Sequence, residues 1–213
     1  MNKSVIASVV FVVAFAIMPL PGKENEAAED SMRHGTRAAA AKSKTEYKIY
    51  KAKDGSRAVI ANGSKEEATP ESVVAFYSPE NQQMCSLNFS SEDGEHGYGV
   101  VKAAWTPDQK YFVFSMTSSG GHQSWHAPTL FYSVRRTEID SLDSYIAAAG
   151  ISKGDFALKS PNIVLTEEWK GQSVPTRFRL DSLTSDKRRS RQSLRCADRR
   201  VFRVDPYDLK NHD

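Results

Sequence analysis

The chain carries, at residues 104–115, the sequence Ala-Trp-Thr-Pro-Asp-Gln-Lys-Tyr-Phe-Val-Phe-Ser. Pro107 presets the backbone angle of a turn corner, and the Asp108 carboxylate can accept hydrogen bonds from backbone N–H groups just beyond it. The turn therefore separates a strand that ends in an aromatic residue from a strand that begins at Tyr111. Residues 76–81, Phe-Tyr-Ser-Pro-Glu-Asn, repeat the order of aromatic, Ser or Thr, Pro and acid. Both stretches predict aromatic-anchored β-hairpins.

Short runs with strand composition extend this pattern on both sides. The turn signal Asp54-Gly55 predicts a hairpin between residues 47–51 and 58–61. Further strands are predicted at residues 73–77, 84–89, 99–105, 111–116, 130–134, 163–169 and 176–180. Pro175 favours an edge position for the last of these strands, because proline cannot donate a ladder hydrogen bond.

One short helix is expected near residues 141–149. Asp140 or Ser141 can cap its start, an apolar stripe runs from Leu142 to Ala149, and Gly150 ends it. The predicted fold class is therefore mainly β, an antiparallel hairpin meander that is either blade-like or a small sandwich, with this one helix.

Residues 72–134 resemble the blades of TolB-like or WD-repeat-like β-propellers, whose inner hairpins carry an aromatic–Ser–Pro–Asp–Gly–Lys turn. Gln109 stands where those blades usually have glycine. The resemblance implies antiparallel meanders and a family tendency toward protein or ligand binding. A blade takes about 40–45 residues and a ring needs at least four blades. A ring would therefore use all of the roughly 170 residues from position 45 onward, so an open array is expected instead.

Residues 1–22 have the composition of a signal peptide. The apolar run from Val5 to Met18 is about 14 residues long, short of the roughly 20 that a spanning helix needs, which disfavours an uncleaved anchor. Cleavage near Ala16 and cleavage within residues 19–22 are both consistent with the sequence of this segment. Residues 23–44 lack apolar periodicity and are interpreted as a flexible leader, and residues 45–213 as a single β-rich domain. We therefore expect export to a periplasmic or extracellular compartment, with no transmembrane segment after signal removal.

The chain has two cysteines, Cys85 and Cys196. In an exported protein they can form a disulfide that joins the middle of the domain to its C-terminal region. Two unpaired thiols are the alternative.

Residues 118–128 form the most unusual loop of the chain, with the sequence Ser-Ser-Gly-Gly-His-Gln-Ser-Trp-His-Ala-Pro. The candidate ligand-binding residues are Gly121, His122, Trp125 and His126. An aromatic residue among polar neighbours on a loop suits carbohydrate or peptide contact. The alternative is structural, with Trp125 packed on the core edge and the imidazoles hydrogen-bonded to loop carbonyls.

A metal site is a second hypothesis for this region. His96, His122 and His126 could converge on a divalent metal together with one carboxylate of residues 91–97. A metal-dependent hydrolase with Glu92 or Glu95 as base is therefore the alternative function. The chain has no G-x-S-x-G, phosphate-binding glycine loop, HExxH or CxxC motif, so catalysis is not favoured and no other cofactor is predicted.

Residues 187–203 form a basic segment. If this segment is helical, cations at successive steps of four form one stripe. The candidate anion-binding residues are Arg188, Arg191, Arg195 and Arg199. Outside the cytoplasm such a stripe suits lipid head groups, anionic glycans or acidic proteins, and nucleic acid is not expected as a partner. A solvated charged face is the alternative.

These patterns predict an exported, non-catalytic binding or interaction protein whose partner is a protein, a glycan or an anionic surface. A scaffold subunit that completes a partner's sheet with an unpaired edge strand is a further hypothesis.

Overall fold

The computed structural model describes residues 45–63, 70–94, 96–121, 126–146, 150–151, 154–170, 172–185, 193–196 and 201–203. The predicted signal peptide and leader, residues 1–44, lie outside this part of the chain. The described residues fold mainly as β-strands.

Thirteen strands and two short helical segments are present in the described residues. The strands are β1 (Glu46–Lys51), β2 (Arg57–Asn62), β3 (Ser72–Tyr77), β4 (Gln83–Asn88), β5 (Tyr98–Trp105), β6 (Tyr111–Ser118), β7 (Thr129–Ser133), β8 (Glu138–Ser141), β9 (Ala157–Lys159), β10 (Ile163–Trp169), β11 (Ser173–Arg179), β12 (Leu194–Arg195) and β13 (Val201–Arg203). A 3₁₀ turn spans Leu142–Tyr145, and helix α1 spans Leu180–Ser185.

The strands form three open sheets. The N-terminal sheet has the order β1-β2-β3-β4-β13, the central sheet β12-β8-β7-β6-β5, and the C-terminal sheet β11-β10-β9. Neighbouring strands are antiparallel except β13, which runs parallel to β4. The predicted fold class is thereby confirmed, and β11, which contains Pro175, is an edge strand as expected.

The central sheet is buried on both faces. Phe112 and Phe114 pack in one apolar cluster with residues of the N-terminal sheet, whereas Tyr111 and Val113 pack in a second cluster with residues of the C-terminal sheet. This arrangement explains why residues 111–114 are all apolar instead of alternating with polar residues. Burial of each such side chain contributes about 1.5–3 kcal/mol, so this strand anchors both cores.

Cys85 in β4 and Cys196, which follows β12, form a disulfide with Cα atoms 5.0 Å apart. β12 pairs with β8 of the central sheet, and β13 pairs with β4 of the N-terminal sheet. We call β12, Cys196 and β13 the C-terminal strap. The strap therefore attaches to two sheets that pack on each other.

The helix near residues 141–149 is shorter than predicted. Ser141 caps it by accepting a hydrogen bond from the Asp143 N–H, but the helix is a single 3₁₀ turn that ends at Tyr145, because Ile146 is extended. Residues 147–149 lie outside the described residues. Asp140 belongs to β8, a strand that the sequence analysis does not predict, and α1 is also not predicted.

The described residues of the basic segment 187–203 contain two short strands and no helix, so a helical stripe does not run through them. Pairing of β13 with β4 explains this difference. The backbone groups of a strand can hydrogen-bond to a sheet edge, whereas those of a helix are bonded within the helix. Arg188, Arg191 and Arg199 lie outside the described residues.

Successive connections of an antiparallel meander alternate between its two ends. The short turns at residues 52–56, 78–82, 106–110, 134–137 and 160–162 share one end, which we call the turn end. Strands β2 and β3, β4 and β5, β6 and β7, and β8 and β9 are connected at the other end, the loop end. At the turn end, the Asp108 N–H donates to the Pro161 carbonyl of the C-terminal sheet at 3.1 Å.

Candidate ligand-binding cleft at the turn end

Two adjoining cavities open at the turn end. The first has a volume of about 570 Å³ and is lined by Lys110, Tyr111, Ser133, Arg135, Arg136, Asp181, Thr184 and Ser185. The second has a volume of about 490 Å³ and is lined by Lys53, Asp54, Pro107, Asp108, Gln109, Lys110, Val134 and Arg135. Both volumes fall within the range of about 300–1,000 Å³ that is usual for ligand sites. We call the two together the turn-end cleft.

The β5–β6 turn places Lys110 in the wall that the two cavities share. The Thr106 hydroxyl donates to Asp108 Oδ1 at 2.7 Å, and Gln109 has a φ of 59°, a left-handed conformation usual for glycine. Lys110 Nζ lies 3.8 Å from carboxylate oxygens of both Asp108 and Asp181. The lysine is thus held by two acids, one from its own turn and one from α1.

The β7–β8 turn supplies two arginines. Arg136 forms an ion pair with Glu138 and donates to the Thr184 carbonyl of α1. Arg135 is exposed and lines both cavities, and among the described residues it has no ion-pair partner. Arg135 is therefore available to an anionic group in the cleft.

A network of hydrogen bonds holds the acidic side of the cleft. Asn162 is fully buried, and its Nδ2 donates to Asp108 Oδ2 at 2.7 Å and to Asp181 Oδ2 at 2.8 Å. The Tyr111 hydroxyl donates to Asp181 Oδ1 at 2.8 Å. The hydrogen bonds that Asp181 accepts from Asn162 and Tyr111, together with the nearby charge of Lys110, outweigh the effect of partial burial. They hold the pKa of Asp181 below its ordinary value.

Burial raises the pKa of Tyr111 to about 12. At neutral pH the tyrosine is therefore a hydroxyl donor, and Asp181 is an ionised acceptor. The cleft presents cations and carboxylates side by side, with hydroxyl groups between them.

A third cavity, of about 430 Å³, adjoins the β7–β8 turn on the side of the C-terminal strap. It is lined by Gln82, Met84, Arg136, Thr137, Glu138, Arg195 and Cys196. Arg195 is the described member of the predicted anion-binding set, and its Nε lies 3.3 Å from Glu138 Oε1. The structure therefore brings this arginine to the turn end.

The described residues of the predicted ligand-binding loop lie at the loop end. Gly121 is exposed, and a side chain at its position would meet no atom within 4 Å. His126 is buried, and its Nε2 is 2.9 Å from Asp143 Oδ1, which also accepts from the Ile151 N–H. Hence His126 supports packing inside the domain. His122 and Trp125 lie outside the described residues.

Gly150 allows the close approach to His126. Its φ is 146°, and a Cβ there would overlap the imidazole ring. The histidine, Asp143 and the chain around Gly150 thus form one packed unit at the base of the loop.

The two described histidines of the predicted metal site have separate partners. His96 is exposed and contacts Asp93, whereas His126 is buried against Asp143. Among the residues whose positions are known, no group of three or more His, Cys, Asp or Glu side chains is arranged to hold a metal ion. The hypothesis that includes His122 stays a prediction, because that residue is outside the described chain.

Glu71 organises the loop end and is not found by sequence reasoning. Its carboxylate accepts from the Ser91 N–H and the Gly97 N–H, each at 2.7 Å, and from the Ser119 hydroxyl at 2.9 Å. Burial alone would raise the pKa of Glu71, but these hydrogen bonds hold it below its ordinary value. A Cβ at Gly97 would overlap the carboxyl group, so glycine is required there. Glu71 therefore joins two loops structurally.

Sequence reasoning also misses the turn-end cleft. The signal that could have found it is the adjacent pair Arg135-Arg136 in the turn after β7 together with Lys110 in the turn after β5. Because hairpin turns of one meander share an end, cations in alternate turns can lie together.

Comparisons of this chain with protein-family models, with curated proteins and with solved structures found no match. In the described part of the chain, neither helical segment has the length and apolar character needed to cross a membrane.

Proposed function

We propose that this chain is an exported, non-catalytic binding protein whose turn-end cleft receives an anionic group of its ligand. The observation that carries this proposal is Arg135. It lies in the wall shared by two cavities, beside Lys110, and has no ion-pair partner among the described residues. Arginine suits this role because its planar guanidinium binds carboxylate and similar groups through two hydrogen bonds.

Two titrating groups of the cleft, Asp181 and Tyr111, support binding in preference to acid–base catalysis. Efficient general acids and bases have pKa values near the working pH. The pKa of Asp181 is lowered by its hydrogen bonds, and the pKa of Tyr111 is raised to about 12, so both move away from neutrality. These two groups are therefore suited to fixed hydrogen bonds.

The disulfide between Cys85 and Cys196 supports export, because disulfides persist mainly in oxidising compartments. Mass spectrometry of the chain expressed in a secreting host is expected to find a mature N-terminus within residues 15–23 outside the cytoplasm. Recovery of the intact Met1 end only inside the cell would contradict export.

The two Pro-containing turns support the proposed relation to propeller blades. Asn81 and Gln109 have φ values of 68° and 59°, and both occupy the turn position where such blades carry glycine. We propose that the stacked meanders correspond to blades in an open array.

Anion binding can be tested by thermal unfolding with citrate as the probe. Citrate is expected to raise the Tm of the wild-type protein, because a ligand that binds only the folded state stabilises it. Arg135→Gln should abolish this rise. Arg177→Gln is the matched control, since Arg177 is exposed on β11 and lines neither cavity of the cleft. Equal responses of both variants and the wild type would refute the anion site.

A further inference from the structure

We propose that the ligand of the turn-end cleft is an acidic polysaccharide that carries carboxylates and free hydroxyl groups, as a polyuronate does. This inference rests on the proposed function, because it requires the cleft to bind anions. It adds the chemical class of the ligand and its extent along the protein surface.

The cavities at the turn end form a series in which neighbours share lining residues. Lys110 and Arg135 line both the first and the second cavity, and Arg136 lines both the first and the third. Lys53 lies at one end of this series and Arg195 at the other. A series of neighbouring cavities, each lined by at least one cation, suits an extended ligand with repeated negative charges better than a single small anion.

Each cavity also contains at least one carboxylate. Asp181 lines the first cavity, Asp54 and Asp108 the second, and Glu138 the third. Ionised carboxylates only accept hydrogen bonds, so they favour a ligand that carries hydroxyl donors over one whose exposed groups are mainly phosphate or sulfate oxygens. A polyuronate provides both partners, because its carboxylates match the arginines and lysines and its hydroxyls donate to the acids.

The remaining lining combines hydroxyl groups with apolar surface. The first cavity adds the hydroxyl groups of Ser133, Thr184 and Ser185, whose oxygens can both donate and accept. The second adds the small apolar residues Pro107 and Val134. Hydroxyl groups beside small apolar residues suit a carbohydrate chain, because a sugar ring carries hydroxyl groups at its edge and C–H groups on its faces.

Isothermal titration with defined polymers tests the ligand class. The probes are an oligogalacturonate of about ten sugars, its methyl-esterified form and a poly-L-glutamate of similar length and charge. The wild-type protein is expected to bind the oligogalacturonate at least about tenfold more tightly than either of the other two polymers, with an affinity that falls as salt is added. Arg135→Gln should weaken this binding about tenfold, and the Arg177→Gln control should leave it unchanged.

Lys53→Gln tests the extent of the site. Lys53 is exposed, so its replacement should not impair folding. This variant is expected to bind the ten-sugar chain about threefold to tenfold more weakly, because it removes one cation from the end of the site. Binding of the ten-sugar chain as tight as in the wild type would overturn the extended binding mode.

The outcomes separate this inference from the function on which it rests. If poly-L-glutamate binds as tightly as the oligogalacturonate and Arg135→Gln weakens both, the cleft binds anions but the polysaccharide assignment is wrong. If Arg135→Gln and Arg177→Gln bind every probe as the wild type does, both proposals fail.

Discussion

Thr137 shows how one residue shapes the cleft. It has a φ of 54°, which β-branched residues rarely adopt. The Thr137 N–H donates to the Ser133 carbonyl at 2.8 Å, and the Cys196 N–H donates to the Thr137 carbonyl at 2.9 Å. The β7–β8 turn and the C-terminal strap thus impose this conformation, which positions the neighbouring Arg135 and Arg136.

Thr137→Gly is expected to raise the free energy of unfolding by up to about 1 kcal/mol, because glycine adopts positive φ without steric cost although it loses more backbone entropy on folding. Thr117→Gly, within strand β6 near its C-terminal end, is the control and should destabilise the protein by about 1 kcal/mol. Urea unfolding measures both changes. A destabilised Thr137→Gly protein would show that the threonine side chain outweighs the backbone strain.

The raised pKa of Asp140 predicts that the stability of the protein depends on pH. Burial raises its pKa to about 6, against the opposing effect of the Arg136 charge and with the added effect of Glu138. Because the folded state holds this proton more tightly than the unfolded state, the contribution of Asp140 to stability falls as the pH rises from about 4 to about 6.

Asp140→Asn should therefore be more stable than the wild type by about 1–3 kcal/mol at pH 7.5 and nearly equal to it at pH 4. Urea unfolding at the two pH values measures the difference. A gain that is the same at both pH values would contradict the raised pKa.

The loops between strands depend on single buried acids. Glu71, which precedes β3, binds backbone and hydroxyl groups of the connections at residues 89–97 and 119–128. Asp143, in the 3₁₀ turn, accepts from the Thr129 N–H at 3.1 Å and the Ile151 N–H at 2.8 Å. A carboxylate that accepts several hydrogen bonds can order loops that have no strand-to-strand backbone hydrogen bonds of their own.

Glu71→Gln is expected to destabilise the protein by about 1–3 kcal/mol at pH 7, because the neutral amide replaces charge-assisted hydrogen bonds and adds an unmatched donor. The pKa of Glu71 is lowered in the folded state, so the stability it contributes is present above the pKa of the unfolded chain and is lost as the pH falls. The difference between variant and wild type should shrink below about pH 4.

Hydrogen exchange locates this effect. The amides of Ser91 and Gly97 should exchange faster in Glu71→Gln, and Glu80→Gln, in the exposed β3–β4 turn, should leave them unchanged. Unaltered exchange at both amides would show that Glu71 does not order these loops.

The arrangement of the three sheets depends on the C-terminal strap as well as on the apolar cores. The disulfide spans 111 residues of sequence and joins the N-terminal sheet to the strand that extends the central sheet. A cross-link over a loop of this length stabilises mainly by restricting the unfolded chain, by about 3–5 kcal/mol in the loop-entropy model.

The double variant Cys85→Ala/Cys196→Ala is expected to lose about 2–5 kcal/mol of stability. It should also weaken binding at the third cavity, because Cys196 and Arg195 both line it. Denaturation with and without a reducing agent measures the first effect, and the double variant, which cannot respond to reductant, is the control. If reduction leaves the wild type as stable as before, the cross-link does not contribute.

Much of the architecture could be predicted from local sequence. The turn signals Asp54-Gly55 and Pro107-Asp108, the aromatic strands and Pro175 are short-range patterns, and the hairpins they predict are present. The cap at Ser141 is also local, and its 3₁₀ turn begins where expected. Such features are predictable because backbone sterics and turn chemistry act within a few residues.

The rest depends on contacts between distant parts of the chain. Strands β12 and β13 form because sheet edges at β8 and β4 are available to them, which no local pattern reveals. The turn-end cleft brings together Lys110, Arg135 and Asp181 from separate turns and a helix, and Glu71 meets loops up to 48 residues away in sequence. Sequence therefore determined the class of fold and its hairpins through local interactions, whereas packing of three sheets, which is a long-range effect, selected the side chains that meet at each end.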